Sequence, residues 1–505
     1  MARRKYSPPL AMDLFRPLER SSAVLLNDQL AERIERLVAT GGLKPGEYLP
    51  PIRLLARKLR VNAGTVVKAY TFLRRQGVAS ADSTRGLRVC PRQASPLGPA
   101  GPSWASLVMP PVLPTDPLNG ALPAAAGPRP VRFDVAQTGV ELVPTAILNR
   151  ALLAGMRQEG ALGYAPFTGL PETRAALERY LRRREVLLDG AAMLITAGTA
   201  QSLAIITRAL VPPGGVVIAE HPTWPMALSV FAAAGVRVIT LPVDDDGMQI
   251  SALADVVLRY NPVFLYLQPA FQNPTGLSLS AERRAELLAL ARRFQLLVVE
   301  DDFAAELAFE APLPPLRTPP GADIVVYLKS FAKIITPALR VSVMVAPTRY
   351  APALGQAQRG LDPFVSALAQ AVVAACLTDE GFEAHLRSLA GALRERWGVL
   401  DAALSRRMPE GARWTTPRGG LCAWLGLPAR MRADDLATAA AKAGVGLTPG
   451  RIFCVDESGQ RGVRLSFGAL APAEIERGVD ILAEVLETSA RGRRRRERPL
   501  QGIMP

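Results

Sequence analysis

Hydrophobic and polar positions alternate at helical spacing in the first ninety residues. Apolar side chains recur every fourth residue after residue 25, two glycines follow that stretch, and Asn62 stands where it can cap a later one. The pattern predicts three helices: Leu26–Thr40, a second from the pair Pro50–Pro51 through Leu59, and Ala63–Arg75. Two short runs joined through Gly86, Val78–Ser80 and Leu87–Val89, predict a hairpin. We therefore expect a small winged helical domain over residues 21–90.

A different pattern fills residues 91–130, which contain eleven prolines, few charges and no periodicity. This segment is longer than the loops that occur inside compact domains. We expect it to be a proline-rich linker between two domains that fold separately.

From Val131 onward, helical stretches alternate with short apolar runs, which include Val216–Ala219, Val236–Leu241, Val263–Leu267, Leu296–Val299 and Val325–Leu328. That rhythm predicts an α/β domain over residues 131–488, with a mostly parallel sheet covered by helices on both faces. After about Leu377 the pattern changes to helices, then strands near Leu421–Leu425 and Gly462–Phe467, then a helix to Thr488. This part is expected to form a smaller α+β portion.

Charge is concentrated at the two ends of the 505-residue chain. Residues 1–90 contain 17 lysines and arginines against 7 acidic residues, a net of +10, and residues 491–505 contain six arginines and one glutamate, a net of +5. These two ends account for the formal net charge of +15, so the residues between them are neutral overall. Binding to a polyanion is therefore expected at the ends. The basic tail over residues 489–505 is expected to be disordered.

The remaining composition points to a protein of the reducing cytoplasm. The start of the chain is basic but has no apolar core of a secretory signal, and no stretch is apolar enough to span a membrane. The four cysteines are scattered and match no disulfide or metal spacing, and the two histidines, His221 and His385, are isolated in sequence. No metal site is expected.

Basic and small polar residues on the winged domain suit contacts with DNA. Thr65 and Lys68 lie on the early turns of the third helix, from which such groups reach phosphates and base edges, and Arg85 and Arg88 lie in the hairpin. The stretch that begins Leu43-Lys-Pro-Gly-Glu and reaches Arg53 resembles a motif of the GntR family of bacterial regulators, as does Val61-Asn-Ala-Gly-Thr-Val-Val-Lys. The resemblance implies that double-stranded DNA is bound through Arg53, Asn62, Thr65, Lys68, Arg85 and Arg88.

In the large domain, an ordered series of polar residues follows the apolar runs. Lys333 lies just after one run, and Asp301 ends another, where a carboxylate at the end of a parallel strand faces a ligand crevice. Asn273 follows a third run. A lysine with a lowered pKa can bind a carbonyl compound as a Schiff base, although a lone lysine is more often a surface residue.

Further along the series are groups that suit anions. The turn Thr196-Ala-Gly-Thr199-Ala200 precedes a helix and can present amide groups to a phosphate, with Ser330 and Arg340 close by in sequence to Lys333. Trp224 can stack on a flat ring. Arg464 lies within a strand, where a buried cation needs an anion, either an internal carboxylate or a substrate.

The order of these motifs over about residues 131–488 resembles the fold type I aminotransferases, which use pyridoxal 5'-phosphate. The resemblance implies that Lys333 is the Schiff-base lysine, Asp301 the partner of the pyridine nitrogen, and Arg464 the clamp for a substrate carboxylate. By the same resemblance, the other cofactor-binding residues are Asn273, Trp224, Thr199, Ala200, Ser330, Arg340 and, from a neighbouring subunit, Tyr164.

Both halves together resemble the MocR subfamily of GntR regulators, in which a winged helix is fused to an aminotransferase-like domain. That resemblance implies a head-to-tail homodimer. One position departs from the family pattern, because Phe303 stands where a tyrosine is usual. A phenylalanine offers no hydroxyl to the cofactor's phenolate oxygen, so we expect the cofactor to bind but its chemistry to be slowed.

Three functions remain open at this point. The first is a transcription regulator that senses a small amine or amino acid, or pyridoxal 5'-phosphate itself, through the large domain. The second is an active aminotransferase with an appended DNA-binding domain, and the third is a regulator whose large domain is only a dimerising scaffold. The position of the net charge and Phe303 favour the first.

Overall fold

A computed structural model of the chain describes residues 15, 18, 25–39, 43–44, 46–75, 78–82, 86–90, 124–311, 314–428 and 431–496. The predicted DNA contact Arg85, most of the predicted linker at 91–130 and residues 497–505 of the predicted tail lie outside the described residues. The chain divides into two compact units, Met1–Pro111 and Val112–Pro505.

The first unit contains helices α1 (Leu26–Ala39), α2 (Ile52–Leu59) and α3 (Ala63–Arg75), then strands β1 (Ala79–Asp82) and β2 (Gly86–Val89). The two strands pair antiparallel, with Ala79 opposite Val89. Apolar residues of all three helices meet in one core, in which Leu30, Ile34, Leu55, Val66 and Leu73 are fully buried. The predicted winged helix-turn-helix is confirmed.

In the second unit, strands β3 to β11 are Val131–Arg132, Ala191–Thr196, Val216–His221, Arg237–Asp244, Gly247–Met248, Phe264–Leu267, Leu297–Asp302, Val325–Ser330 and Ser342–Pro347. All except β3 form an eight-stranded sheet in the described part of the chain, in the order β4-β11-β10-β9-β8-β5-β6-β7. Strands β10, β9, β8, β5 and β6 are parallel to their neighbours in this series, whereas β11 is antiparallel to both neighbours and β7 is antiparallel to β6.

Each of the five apolar runs that predicted a strand coincides with a strand of this sheet. Alternate residues of one strand face opposite sides, because Phe264 and Tyr266 join one apolar cluster while Leu265 and Leu267 join another. Helices therefore cover both faces, as the α/β prediction requires. The α-helices of this unit are Thr145–Arg157, Pro171–Arg183, Thr199–Leu210, Pro225–Ala233, Leu253–Tyr260, Ala281–Phe294, Ala351–Leu361, Ala367–Thr378, Phe382–Arg407, Ala433–Lys442 and Pro472–Arg496.

The carboxyl-terminal part contains strands β12 to β16, which are Arg413–Trp414, Cys422–Gly426, Val445–Gly446, Thr448–Pro449 and Gly462–Ser466, and all except β14 form a smaller sheet. The order in that sheet is β12-β13-β16-β15, with antiparallel pairing throughout, while β14 pairs with β3 in parallel. The predicted α+β portion is present.

One boundary differs from the sequence prediction. The last helix was expected to end at Thr488, yet it continues to Arg496, so residues 489–496 of the predicted disordered tail are helical. Arginine is a good helix former, and cations near the carboxyl end of a helix interact favourably with its dipole. Among the described residues, no helix combines the length and the apolar character needed to cross a membrane.

Candidate functional site

A pocket of about 280 Å³ opens where the parallel strands end at their carboxyl termini. Such an edge of an open α/β sheet is where ligands bind. Its lining brings together most of the residues that the sequence selected, because it comprises Ala136, Thr199, Ala200, Trp224, Met226, Gln268, Asn273, Asp301, Phe303, Ser330, Ala332, Lys333, Arg340, Leu421, Cys422 and Arg464.

Strand β9 ends in three consecutive acids, and only one of them lines this pocket. Glu300 accepts hydrogen bonds from the backbone of residues 316 and 317, and Asp302 forms an ion pair with the buried Lys329 at 3.1 Å. Asp301 points the other way, as the two-residue period of a strand requires. The structure thus separates one candidate carboxylate from two structural ones.

Asp301 is buried and only half satisfied. Its Oδ2 accepts hydrogen bonds from the Tyr266 hydroxyl and from Gln268 Nε2, each at 2.8 Å, while its Oδ1 has no partner among the described residues. Burial raises the pKa of the Asp301 carboxyl to about 6, although the two hydrogen bonds oppose the shift. An unpaired carboxylate oxygen inside a pocket suits a protonated ring nitrogen, which would supply the missing donor.

Lys333 lies three residues after β10 and extends into the same pocket. Its Nζ donates a hydrogen bond to the carbonyl oxygen of Ala136 at 2.7 Å. Burial lowers the pKa of the Lys333 amine; Cys422 opposes this shift, and the cations Arg464 and Arg340 reinforce it. A lowered pKa increases the neutral fraction of the amine, which is the form that attacks a carbonyl carbon.

The turn between β4 and the helix Thr199–Leu210 forms a cradle for an anion. Gly198 has a φ of +120°, a backbone conformation that residues with a side chain rarely adopt. A Cβ built at this position would overlap the guanidinium group of Arg340. Arg340 Nη2 donates to the carbonyl oxygen of Ala197 at 2.9 Å. Ser330 and Thr199 complete a lining of small polar groups at a helix amino terminus, a setting that binds phosphate.

Arg464 is a buried cation that forms no ion pair with a carboxylate among the described residues. Its Nη1 donates to Asn273 Oδ1 at 3.1 Å, and its Nη2 donates to Thr448 Oγ1 at 3.2 Å and to the carbonyl oxygen of Asp134 at 2.7 Å. Its Nε has no partner in the same set, and burial lowers the pKa of the guanidinium. The internal salt bridge considered above is absent from the described residues, which leaves a carboxylate ligand as the fitting partner.

Tyr164 lies outside the pocket of its own chain. Its side chain is 86% exposed, and its ring centroid is 5.1 Å from that of Phe364. Other large apolar side chains are also exposed nearby in sequence, including Leu153, Met156 and Leu162. Among the described residues, Tyr164 therefore takes no part in the pocket of its own chain.

Several residues of the pocket were not selected from the sequence. Gln268 and Tyr266 donate hydrogen bonds to Asp301, and the backbone N–H of Gln268 donates to Glu220 Oε2 at 2.8 Å. Burial raises the pKa of Glu220 to about 8. Gln268 directly follows β8, so the rule that picked Asp301 at the end of β9 applies to it equally. Cys422 comes from the smaller sheet, which no local pattern places beside Lys333.

In the first unit, the described basic residues predicted to contact DNA are exposed: Arg53, Lys68 and Arg88. Thr65 is half-buried on α3. Asn62 caps that helix as predicted, because its Oδ1 accepts from the amide of Gly64 at 2.8 Å. That oxygen is therefore engaged within the chain.

Comparison with known families agrees with both units. Residues 138–482 match the model of the aminotransferase class I and II family, which is more than half of the chain, and residues 26–89 match that of the bacterial regulatory proteins of the gntR family. The chain belongs to the aminotransferase class I and II family. Its amino-terminal unit is a GntR-type DNA-binding domain, and the combination confirms the predicted MocR-type architecture.

Similar proteins fall into two groups. The 2-aminoadipate transaminase of Thermus thermophilus is 35% identical over 69% of this chain and 87% of its own length. The probable rhizopine catabolism regulatory protein MocR of Rhizobium meliloti is 27% identical over 92% of this chain and 94% of its own. The crystal structure of the α-aminoadipate aminotransferase LysN from Thermus thermophilus, complexed with N-(5'-phosphopyridoxyl)-L-leucine, superposes with a TM-score of 0.67 at 33% identity, covering 72% of this chain and 93% of LysN.

Proposed function

We propose that the chain is a DNA-binding transcription regulator whose aminotransferase domain holds pyridoxal 5'-phosphate and responds to a small amine or amino acid. The observation that carries this proposal is the presence, in one chain, of a GntR-type unit and a pocket that gathers most of the side chains predicted to bind the cofactor. The MocR relative, a regulatory protein by name, matches across both units. The linker expected at 91–130 would join them, and the site of action would be the cytoplasm.

The pocket suits the cofactor on observations of its own. Asp301 Oδ1 lacks a donor among the described residues, and the turn at Gly198 leaves room for Arg340 beside an anion site. When bound, pyridoxal 5'-phosphate supplies an aldehyde that reacts with amines and a ring that withdraws electrons. In this assignment Asp301 would keep the ring nitrogen protonated, the side-chain amide of Asn273 would donate to the phenolate oxygen, and Trp224 would stack on the ring.

The remaining residues would recognise the effector. Lys333 would hold the cofactor until the amine of an effector takes its place, and the freed Nζ would accept the proton that the effector nitrogen loses. Arg464 would orient a carboxylate on the effector, since the described residues give it no acidic partner. Phe303 offers no hydroxyl at the pocket wall, which favours slow turnover and hence sensing over catalysis.

A short segment links the pocket to the preceding chain. Lys333 Nζ and Arg464 Nη2 both donate to backbone carbonyls of one stretch, those of Ala136 and Asp134. If Lys333 held the cofactor, its nitrogen would have fewer protons to donate to Ala136, and a carboxylate bound by Arg464 would compete with the Asp134 carbonyl for Nη2. The stretch follows the predicted linker in sequence, so its release is a physical route by which pocket occupancy reaches the DNA-binding unit.

Dimerisation is part of the same proposal. The large apolar side chains of Tyr164, Leu153, Met156 and Leu162 are exposed on helix Thr145–Arg157 and the segment after it. A second copy packed there in a head-to-tail homodimer would cover these side chains and bring its own Tyr164 toward a phosphate.

The proposal is tested with full-length protein and the DNA upstream of its own gene and neighbouring genes. We expect specific binding to one fragment above the salt-sensitive background measured on an unrelated fragment of equal length. Borohydride reduction after incubation with pyridoxal 5'-phosphate should attach the phosphopyridoxyl group to the peptide that contains Lys333. In the matched control Lys442→Ala, labelling of that peptide should be unchanged.

Two results would overturn it. Binding to all fragments with equal affinity would rule out the proposed regulator function. Sustained keto-acid production from L-2-aminoadipate at the rate of a metabolic enzyme, together with no specific DNA binding, would show that the chain is an aminotransferase instead. L-2-aminoadipate is chosen because it is the substrate named for the transaminase relative.

A further inference from the structure

Three potential metal ligands that are distant in sequence meet at the side of the large unit. His221 ends strand β5, and Cys454 and Asp456 lie in the loop before β16. One ligand atom from each, the imidazole nitrogen, the thiol sulfur and a carboxylate oxygen, lies within 4.8 Å of the other two. None of the three lines the cofactor pocket described above.

One nitrogen of the His221 imidazole faces Asp456, and the other faces Thr240. Its Nδ1 is 3.2 Å from the hydroxyl oxygen of Thr240, while its Nε2 is 2.5 Å from Ser458 Oγ and 3.5 Å from Asp456 Oδ1. A histidine that binds a metal through one nitrogen is usually held by a hydrogen bond at the other. The Thr240 hydroxyl is placed to provide that support.

The burial of the three groups suits a site that exchanges its ion with solvent. Cys454 is 8% exposed, the side chain of His221 is 16% exposed, and that of Asp456 is 61% exposed. Two ligands are thus anchored in the protein, and the third lies at the solvent side. Asp456 Oδ1 accepts from the backbone amide of Ser458 at 2.9 Å, which fixes the carboxylate beside the imidazole.

We propose that His221 Nε2, Cys454 Sγ and a carboxylate oxygen of Asp456 bind a zinc-class divalent cation, with water or the Ser458 hydroxyl as the fourth ligand. Thiolate, imidazole and carboxylate together are ligands of Zn²⁺. Tetrahedral bonds of about 2.0–2.3 Å place ligand atoms about 3.3–3.6 Å apart, so the loop moves inward by roughly 1 Å on binding. Three protein ligands with an open position give an exchangeable site.

The position of this site gives the ion a structural consequence. The loop that carries Cys454 is joined to the turn after β5 by a hydrogen bond from the Thr223 amide to the carbonyl oxygen of Phe453, at 2.9 Å. The Phe453 ring lies under the guanidinium of Arg464, 5.1 Å away, and Trp224 follows Thr223 directly. The cation therefore ties together two segments that border the cofactor pocket.

The test uses full-length protein that has been treated with a chelator and kept reduced, with Co²⁺ as the probe. We expect one equivalent of Co²⁺ to bind per chain and to give a thiolate-to-cobalt charge-transfer band in the near ultraviolet. Addition of Zn²⁺ should displace the Co²⁺ and abolish the band. Cys454→Ser should abolish the band. Thr240→Val, which removes only the support of the imidazole, should weaken binding by about 10- to 100-fold.

The chain offers matched controls. Cys376→Ser removes another buried thiol, and His385→Gln removes the second of the two histidines; neither should change the affinity or the band. Asp456→Asn changes an exposed side chain, so it keeps the test valid if Cys454→Ser does not fold. Absence of a band in the wild-type protein, or a band that Cys454→Ser and Asp456→Asn leave intact, would overturn the proposal.

Discussion

Replacement of Gly198 by alanine tests the assigned anion cradle through one added methyl group. A Cβ at residue 198 would lie 2.9 Å from Cζ of Arg340 and nearer still to Nη2. Non-bonded carbon atoms settle about 3.5–4.0 Å apart, so the guanidinium must retreat by roughly 1 Å. It would then give up its 2.9 Å hydrogen bond to the carbonyl of Ala197 and its place beside a phosphate.

The size of the effect follows from the interaction that is lost. A hydrogen bond to a charged group contributes about 1.5–3 kcal/mol, and every 1.4 kcal/mol corresponds to a tenfold change in Kd, so about 10- to 150-fold weaker binding of pyridoxal 5'-phosphate is expected. The backbone at φ +120° is also strained for alanine, which lowers the free energy of unfolding by about 1–3 kcal/mol. Equilibrium dialysis measures the first effect and urea unfolding the second.

Two comparisons separate the collision from the strain. Gly214→Ala introduces a Cβ at a φ of +74° with nothing within 4 Å, so it should lower stability and leave the Kd unchanged. In an Arg340→Leu background, Gly198→Ala should weaken binding little further, because both changes remove the same contact. Wild-type affinity in Gly198→Ala, or full additivity with Arg340→Leu, would refute the assignment of Arg340 to the phosphate.

Three other perturbations give separate predictions. Lys329→Met leaves Asp302 and Glu306 buried without their cation and should lower the free energy of unfolding by about 3–5 kcal/mol in urea titrations. Because burial raises the pKa of Asp301 to about 6, above about 3.9 in an unfolded chain, the stability that its protonation provides is fully present below about pH 4 and is lost as the pH rises through 6 in the cofactor-free protein. Phe303→Tyr adds a hydroxyl at the pocket wall, and a hydrogen bond of about 1 kcal/mol should raise the single-turnover rate of amino-group transfer from L-2-aminoadipate by about fivefold.

Each of these has a control or a contradicting result. Lys442→Met removes an exposed lysine and should change stability by no more than about 0.5 kcal/mol. Asp301→Asn should remove the part of the pH dependence assigned to that carboxyl, and an unchanged slope between pH 4 and 6 would contradict the assignment. A rate in Phe303→Tyr equal to that of the wild type would show that the missing hydroxyl does not limit the chemistry.

Local sequence patterns carried most of the fold, because the elements of this chain form where propensity and burial agree. The apolar run that ends in Leu267 became strand β8, and Asn62 capped α3 as its side chain allows. Strands β4 and β11 were not assigned from the sequence, and β11 runs antiparallel between two neighbours. The continuation of the last helix to Arg496 was missed because a run of arginines suits both a solvated tail and a helix.

The site was predictable where a residue's position on its own strand decides its role. Asp301 and Lys333 lie within a few residues of the ends of apolar runs, and strand ends of a parallel sheet converge at one edge. Contacts across distant segments were not accessible in this way. The carbonyl oxygen of Ala136 accepts a hydrogen bond from Lys333, Cys422 lines the pocket from the smaller sheet, and His221 lies close to Cys454. Each of these contacts joins residues that are far apart in sequence, so no short-range pattern predicts it.

The coupling of the pocket to DNA is the central claim, and one titration tests it directly. Fluorescence anisotropy gives the Kd of the full-length protein for its specific DNA fragment, with pyridoxal 5'-phosphate bound, before and after addition of L-2-aminoadipate, in the wild type and in Lys333→Ala. We predict a change of about 5- to 150-fold in the wild type and none in Lys333→Ala. If L-2-aminoadipate reacts at the pocket of the wild-type protein, as its absorption spectrum would show, while the Kd for DNA stays the same, the claim that this pocket regulates DNA binding is wrong.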